Sequence, residues 1–179
     1  MAKEHVAALK GMEICRTLSA AELEAIAAIL ETQEVAAGKD LFREGDPGEG
    51  LYLVVSGEID VVKRGPRGER SLARLGPGGV LGEMSLITAD ARSATGRSLR
   101  DTRVFKLPAQ RFRAMLGEGA PAAFKVVAVI AEILARRLGA MNTKVLELAD
   151  KLDPGDATPP PLKDRELAEL HRAMQVWSF

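Results

Sequence analysis

The segment Gly82-Glu83-Met84-Ser85-Leu86-Ile87-Thr88-Ala89-Asp90-Ala91-Arg92-Ser93-Ala94-Thr95 sets a glycine and a carboxylate at the start of a short helical turn, with an arginine nine residues after the carboxylate. Gly82 lets the backbone enter that turn in a conformation other residues avoid. Residues 83–87 then make one short helical turn, whose free N–H end suits an anion. Arg92 can give a phosphate two parallel charged hydrogen bonds, and Ser93 adds a hydroxyl. Glu83 is an acceptor of the kind used on ribose hydroxyls, and a nearby arginine helps keep it ionised. Each residue also has an ordinary use. A loop arginine is usually solvated, a helix-start glutamate complements the dipole, and the two could form a structural ion pair. Only the combination at this spacing points to a ligand carrying both a sugar and a phosphate.

Outward from this segment, residues 32–107 read as β structure. Leu51-Tyr52-Leu53-Val54-Val55 is a strand buried on both faces, and Ile59 and Val61 alternate with Glu58 and Asp60 as in a half-buried one. Gly65-Pro66-Arg67-Gly68 closes a hairpin between 58–64 and 69–75. Asp46-Pro47-Gly48 and Gly76-Pro77-Gly78-Gly79 are further turns, and 102–107 is another strand. Many short strands with no helices between them predict a barrel or sandwich rather than a parallel sheet.

Helices flank this region. Residues 3–10 form a short one. Ser19-Ala20-Ala21-Glu22 is a capping box opening a helix that ends near Glu31. After Pro108 a short helix covers 108–116 and a long one about 121–150. Val127, Ile130, Leu134, Leu138, Met141, Val145 and Leu148 form a heptad seam on it. That seam either packs on the chain's own core or pairs two copies in a parallel homodimer. Residues 151–162 read as a Pro-rich linker. Residues 163–179 read as a tail helix with Leu167, Leu170, Met174 and Trp177 on one face, for self-packing or for docking a partner protein.

Composition excludes several classes. Lys+Arg and Asp+Glu are both 25, so a dedicated nucleic-acid binder is not expected. A local basic excess does occur, in Arg92, Arg97, Arg100, Arg103, Lys106, Arg111 and Arg113, read as solvated strand faces or as a patch that attracts anions. Cys15 is the sole cysteine, which rules out an intrachain disulfide and argues against a zinc site. No apolar run reaches membrane-span length and no signal core follows the N-terminus, so a cytoplasmic protein is expected. No nucleophile, P-loop or metal-ligand pattern appears, so no enzyme and no metal are expected.

The 82–95 segment resembles the phosphate-binding cassette of the cyclic-nucleotide-binding domain family, which includes catabolite activator protein and the regulatory subunits of cyclic-AMP-dependent kinase. Phe42-Arg43-Glu44-Gly45-Asp46, Leu51 to Glu58 and Leu81-Gly82-Glu83 follow the family's order and spacing, so the resemblance covers about residues 10–150. It implies an α+β fold: an eight-stranded, jelly-roll-like β-roll with N-terminal helices and a long C-terminal helix, in a domain spanning 1–150.

It also implies residue roles. Glu83 takes the ribose 2′-hydroxyl. Arg92, Ser93 and the backbone at Gly82, Met84 and Ser85 hold the cyclic phosphate. Val61 and Leu72 contact the base or sugar, and Met141 and Asn142 on the long helix match positions near the base. Met141 departs from the polar residue of catabolite activator protein, which bears on base preference. Ser93 favours cyclic AMP, with cyclic GMP second. The segment after Asp150 opens with the proline linker, so no DNA-binding module is expected. The reading is a stand-alone receptor that signals to an unknown effector protein, with no DNA or membrane partner. The alternative is a scaffold that keeps the fold and acts without nucleotide.

Overall fold

A computed structural model describes residues 2–88 and 90–152. The first two residues of the expected linker 151–162 continue the long helix instead, and the rest of the linker and the tail helix 163–179 lie outside the described residues. The chain falls into two compact units, residues 1–135 and a second that starts at Arg136, and each is described by itself.

The first unit opens with α1 (Ala2–Leu9), a 3-10 turn at Glu13–Cys15 and α2 (Ala20–Ile29). The capping box forms as the spacing predicts. Ser19 Oγ accepts from the Glu22 N–H at 3.4 Å, and the Glu22 carboxylate accepts from the Ser19 N–H at 2.7 Å. Lys125 reaches the same carboxylate at 2.8 Å, and its hydrogen bond is the main cause holding the Glu22 carboxyl down at about 2. The helix ends at Ile29, two residues short of the expected Glu31, because Leu30 turns extended and Glu31 begins a strand.

Six strands follow: β1 (Glu31–Val35), β2 (Asp40–Phe42), β3 (Gly50–Gly65), β4 (Gly68–Leu75), β5 (Val80–Leu81) and β6 (Thr95–Pro108). They form one antiparallel sheet in the order β1-β6-β3-β4, with β2 on β6 and β5 on β3. β3 and β6 are long, at 16 and 14 residues. Their register shifts between Val54 and Ile59, where Gly57 has φ +90° and packs against Thr102. The described residues thus form six strands where the resemblance implied eight, because β3 and β6 each run on as one strand through their register shifts. The β3–β4 hairpin closes at Gly65–Gly68 as expected.

The doubly buried reading of Leu51–Val55 has a simple origin. Leu51 and Leu53 join the core under the helices, with Phe105, Leu107 and Phe112. Tyr52 and Val54 point to the other face and join Ile59, Leu81 and Val104 inside the roll. Successive strand residues serve opposite faces. The alternation expected through Ile59 and Val61 is broken by a bulge between Val61 and Val62. Val62 is buried in consequence and Val61 only half-buried.

After β6 come α3's later counterparts in chain order, α4 (Ala109–Gly117) and α5 (Pro121–Leu152); α3 itself (Glu83–Thr88) precedes β6. On the first part of α5 the buried face is Ala122, Ala123, Val126, Val129, Ile130 and Ile133. The predicted seam is offset from it: Ile130 is buried, but Val127 and Leu134 sit half-buried at its edge. Farther along, Leu138, Met141 and Val145 are exposed.

Cys15 is 4% exposed, and burial pushes its thiol up to about 12. The thiolate is the reactive form, so the native protein should resist a thiol-alkylating reagent at pH 8. Mass spectrometry should show no adduct until denaturant is added; rapid native labelling would contradict this placement.

Candidate functional site

The loop between β2 and β3 and the segment between α3 and β6 are tied by main-chain hydrogen bonds. The Arg92 N–H donates to the Asp46 carbonyl at 2.8 Å, and the Gly45 N–H donates to the Arg92 carbonyl at 2.9 Å. These two bonds fix the backbone on both sides of the Arg92 side chain. The side chain turns inward and the residue is only 4% exposed. Its guanidinium lies over the Phe42 ring, 4.3 Å from the centroid, and 5.2 Å from that of Tyr52. One terminal N–H donates to the Gly82 carbonyl at 3.3 Å, while the buried Nε has no hydrogen-bond partner. Burial lowers the Arg92 pKa, opposed by Tyr52, Glu49 and Asp46. An arginine nevertheless stays protonated at neutral pH. The site therefore holds a buried cation whose donors are incompletely used, and an anion would compensate it.

Gly82 has φ +77°, and a Cβ there would lie 2.2 Å from the Arg92 guanidinium. Only glycine lets this backbone take its turn and lets the arginine lie against it. Gly48 serves a similar purpose, since a Cβ on it would meet the Ser85 Cβ at 2.2 Å and the Asp90 carbonyl at 2.5 Å. The β2–β3 loop thus presses against α3 with no side chain between them. Glu83 and Ser85 are buried at the start of α3, and the Ser85 carbonyl accepts from Arg113 at 3.1 Å.

Ser93 is exposed, and its carbonyl accepts from Lys63 Nζ at 2.6 Å. The same ammonium pairs with Glu44 at 2.7 Å, and the Glu44 N–H donates to Thr95 Oγ1 at 3.0 Å. The Lys63 hydrogen bond is the first cause of a lowered Glu44 pKa.

The other expected residues are less confined. Met84 is 49% and Leu72 61% exposed. Val61 is half-buried, opposite Ala73 on β4 and Gly96 on β6. Asn142 and Met141 are exposed on α5 in the second unit. The structure thus brings Gly82, Glu83, Ser85, Arg92 and Ser93 into one segment folded against β2 and β3.

Phe42, Tyr52, Gly48 and Lys63 were not assigned site positions from sequence. Phe42 and Tyr52 stand beside leucines, and aromatic residues in apolar runs read as core. Lys63 reads as an ordinary outward strand residue.

The basic run does not form an open positive patch. Arg97 pairs with Asp40 and Glu69, Arg100 with Glu58, and Arg103 with Glu4 and Glu34. Lys106 pairs with Glu49 and Arg111 with Glu31. The acids come from distant sequence, so the local count of charge overstated the local field. Among the described residues no metal-ligating cluster occurs, and no single helix is long and apolar enough to cross a membrane.

Residues 32–118 match the cyclic nucleotide-binding domain family, and this span contains the whole cassette and the aromatic pair beneath it. Over these residues the chain carries a domain of that family. It is 34% identical over 131 residues to the cyclic AMP receptor protein of Thermus thermophilus, covering 73% of this chain and 59% of that protein. It is also 34% identical over 103 residues to the lysophospholipase nte1 of Neurospora crassa, covering 57% of this chain and 7% of that enzyme. The chain therefore spans less than two thirds of either relative. The crystal structure of Thermus thermophilus catabolite activator protein superposes with a TM-score of 0.68 at 31% identity, covering 76% of this chain and 63% of that one. A cyclic nucleotide-binding domain from Methylobacillus flagellatus superposes at 0.71 with 24% identity, covering 82% and 83%, and speaks for the fold alone.

Proposed function

We propose that this domain is a receptor for a cyclic nucleotide, cyclic AMP in preference to cyclic GMP, and that it acts by regulation rather than catalysis. The observation that carries the reading is Arg92: a buried guanidinium with an unpartnered Nε, set against a glycine-walled turn. In this reading Arg92 and Ser93 take the cyclic phosphate, with the backbone of Gly82, Met84 and Ser85 beside them. Glu83 takes the ribose hydroxyl, Val61 and Leu72 contact the base or sugar, and Asn142 belongs to the base-reading set. Ser93 and the cyclic AMP receptor protein among the relatives favour cyclic AMP.

Cyclic AMP has about 22 heavy atoms, and about 0.3 kcal/mol per atom gives an affinity on the order of 10 μM. Ligand shifts the domain only by binding one of two states more tightly. The output runs through the segment after Ala135, where Leu138, Met141 and Val145 are exposed and suited to parallel pairing of two copies or to an effector protein. Cytoplasmic placement belongs to the same reading.

Isothermal titration with both nucleotides tests the ligand. Cyclic AMP should bind more tightly than cyclic GMP, and absence of heat for either at high micromolar concentration would favour the scaffold reading instead. These 179 residues should not shift duplex DNA in a gel at physiological salt, because their formal net charge is zero and the basic run is paired. A shift under those conditions would contradict that part of the proposal.

A further inference from the structure

The Phe42-Arg43-Glu44-Gly45-Asp46 stretch does two jobs for one side chain. Gly45 and Asp46 clamp the Arg92 backbone, and Phe42 puts a ring under its guanidinium. Phe42 sits opposite Gly96 in the β2–β6 pairing, and a Cβ on Gly96 would come within 3.2 Å of the ring edge. The ring thus rests close to bare backbone. Tyr52, on the inner face of β3, stacks on Phe42 with centroids 5.5 Å apart and planes at 24°. Arg92 lies over both rings in turn.

The chemistry of this contact differs from that of an ion pair. A carboxylate would occupy the N–H donors at the guanidinium edge, where a phosphate oxygen must bind. The Phe42 face stabilises the cation through the ring quadrupole and uses none of those donors, while Tyr52 adds a side-chain hydrogen bond to the guanidinium besides its ring. Ring stacking therefore holds a cation in a buried place and leaves donor capacity, of which the unpartnered Nε is the visible sign.

We propose that Phe42 and Tyr52 are positioning residues, an aromatic platform that fixes the Arg92 guanidinium so that its donors meet an oxyanion, the cyclic phosphodiester of the nucleotide. The proposal rests on the receptor reading above and adds two residues to its site. Ordinary core filling by the same rings makes a different prediction, because any apolar side chain of similar size would then serve.

The test uses the full chain and cyclic AMP as the probe. Phe42→Leu should weaken binding by about fivefold to tenfold, and Phe42→Tyr should keep it within about twofold. A ligand-free readout accompanies the titration. The Arg92 Nε–H proton resonance, assigned by its disappearance in Arg92→Lys, should be shifted upfield by the rings in the wild-type protein and move back in Phe42→Leu. An Arg92 resonance at the ordinary arginine position in the wild-type chain overturns the platform, whether or not the variants fold. So does wild-type affinity in a folded Phe42→Leu chain, and either result leaves the receptor reading standing if cyclic AMP still binds. A wild-type chain that binds neither cyclic AMP nor cyclic GMP overturns the receptor reading and removes the platform's proposed ligand with it.

Discussion

Replacing Arg92 by alanine should weaken cyclic AMP binding by about 1.5–3 kcal/mol, roughly tenfold to 150-fold. The variant loses a charge and a pair of charge-assisted hydrogen bonds to the phosphate, and nothing nearby replaces them. The other basic residues of the run are held by their own carboxylates or, for Arg113, by the Ser85 carbonyl. Stability should respond differently from binding. Arg92 is buried with an orphaned Nε, so an apolar residue of similar length relieves a desolvated charge. Arg92→Met should therefore melt no lower than the parent chain while losing the affinity. A calorimetric titration paired with a thermal melt separates the two effects. Parental affinity in Arg92→Ala would mean that the phosphate binds elsewhere.

Phe105→Ala should cost about 3–5 kcal/mol of folding stability, the range for deleting a large buried aromatic side chain. Phe105 is 1% exposed on β6 and packs with residues of α1, α2, β3 and α4. The His5 ring meets it edge-on at 4.5 Å, and that histidine bridges the Ala27 carbonyl and Thr32 Oγ1. Removing the phenyl ring leaves a cavity where helices and sheet meet. Domains are stable by about 5–15 kcal/mol, so this loss takes a large share of the total. Denaturant unfolding should show the midpoint drop; a change under about 1 kcal/mol would contradict the packing described for this core.

Much of this architecture could be read from local chemistry. The capping box at Ser19 and Glu22, the Gly65–Gly68 turn and the apolar run at Leu51 each carry their own physical signal, and each forms where expected. The individual short strands depend on partners distant in sequence. Residues 31–35, Glu-Thr-Gln-Glu-Val, have no apolar alternation strong enough to mark a strand. They form β1 because β6 offers a ladder to pair with, and Glu31 and Glu34 find Arg111 and Arg103 nearby. β2 and β5 are too short to show a period. The basic run reads equally as solvated strand faces or as a patch because its neutralising acids come from elsewhere in the fold, Glu4 on α1 and Glu49 before β3 among them.

The site divides along the same line. Gly82, Glu83, Arg92 and Ser93 are close in sequence and carry their chemistry together, so their spacing could be read directly. Phe42 and Tyr52 reach Arg92 only because β2 and β3 converge beneath the cassette. Gly48 is required only because Ser85 folds down upon it. Neither relation leaves a trace in a single sequence.

Residues 82–95 are proposed to form a phosphate cradle organised by Arg92. A crystal structure of the chain grown with cyclic AMP tests it most directly. The cyclic phosphate should lie within hydrogen-bond distance of the Arg92 guanidinium and Ser93, with the ribose hydroxyl on Glu83. Nucleotide bound away from Arg92, or no nucleotide at millimolar concentration, would contradict it.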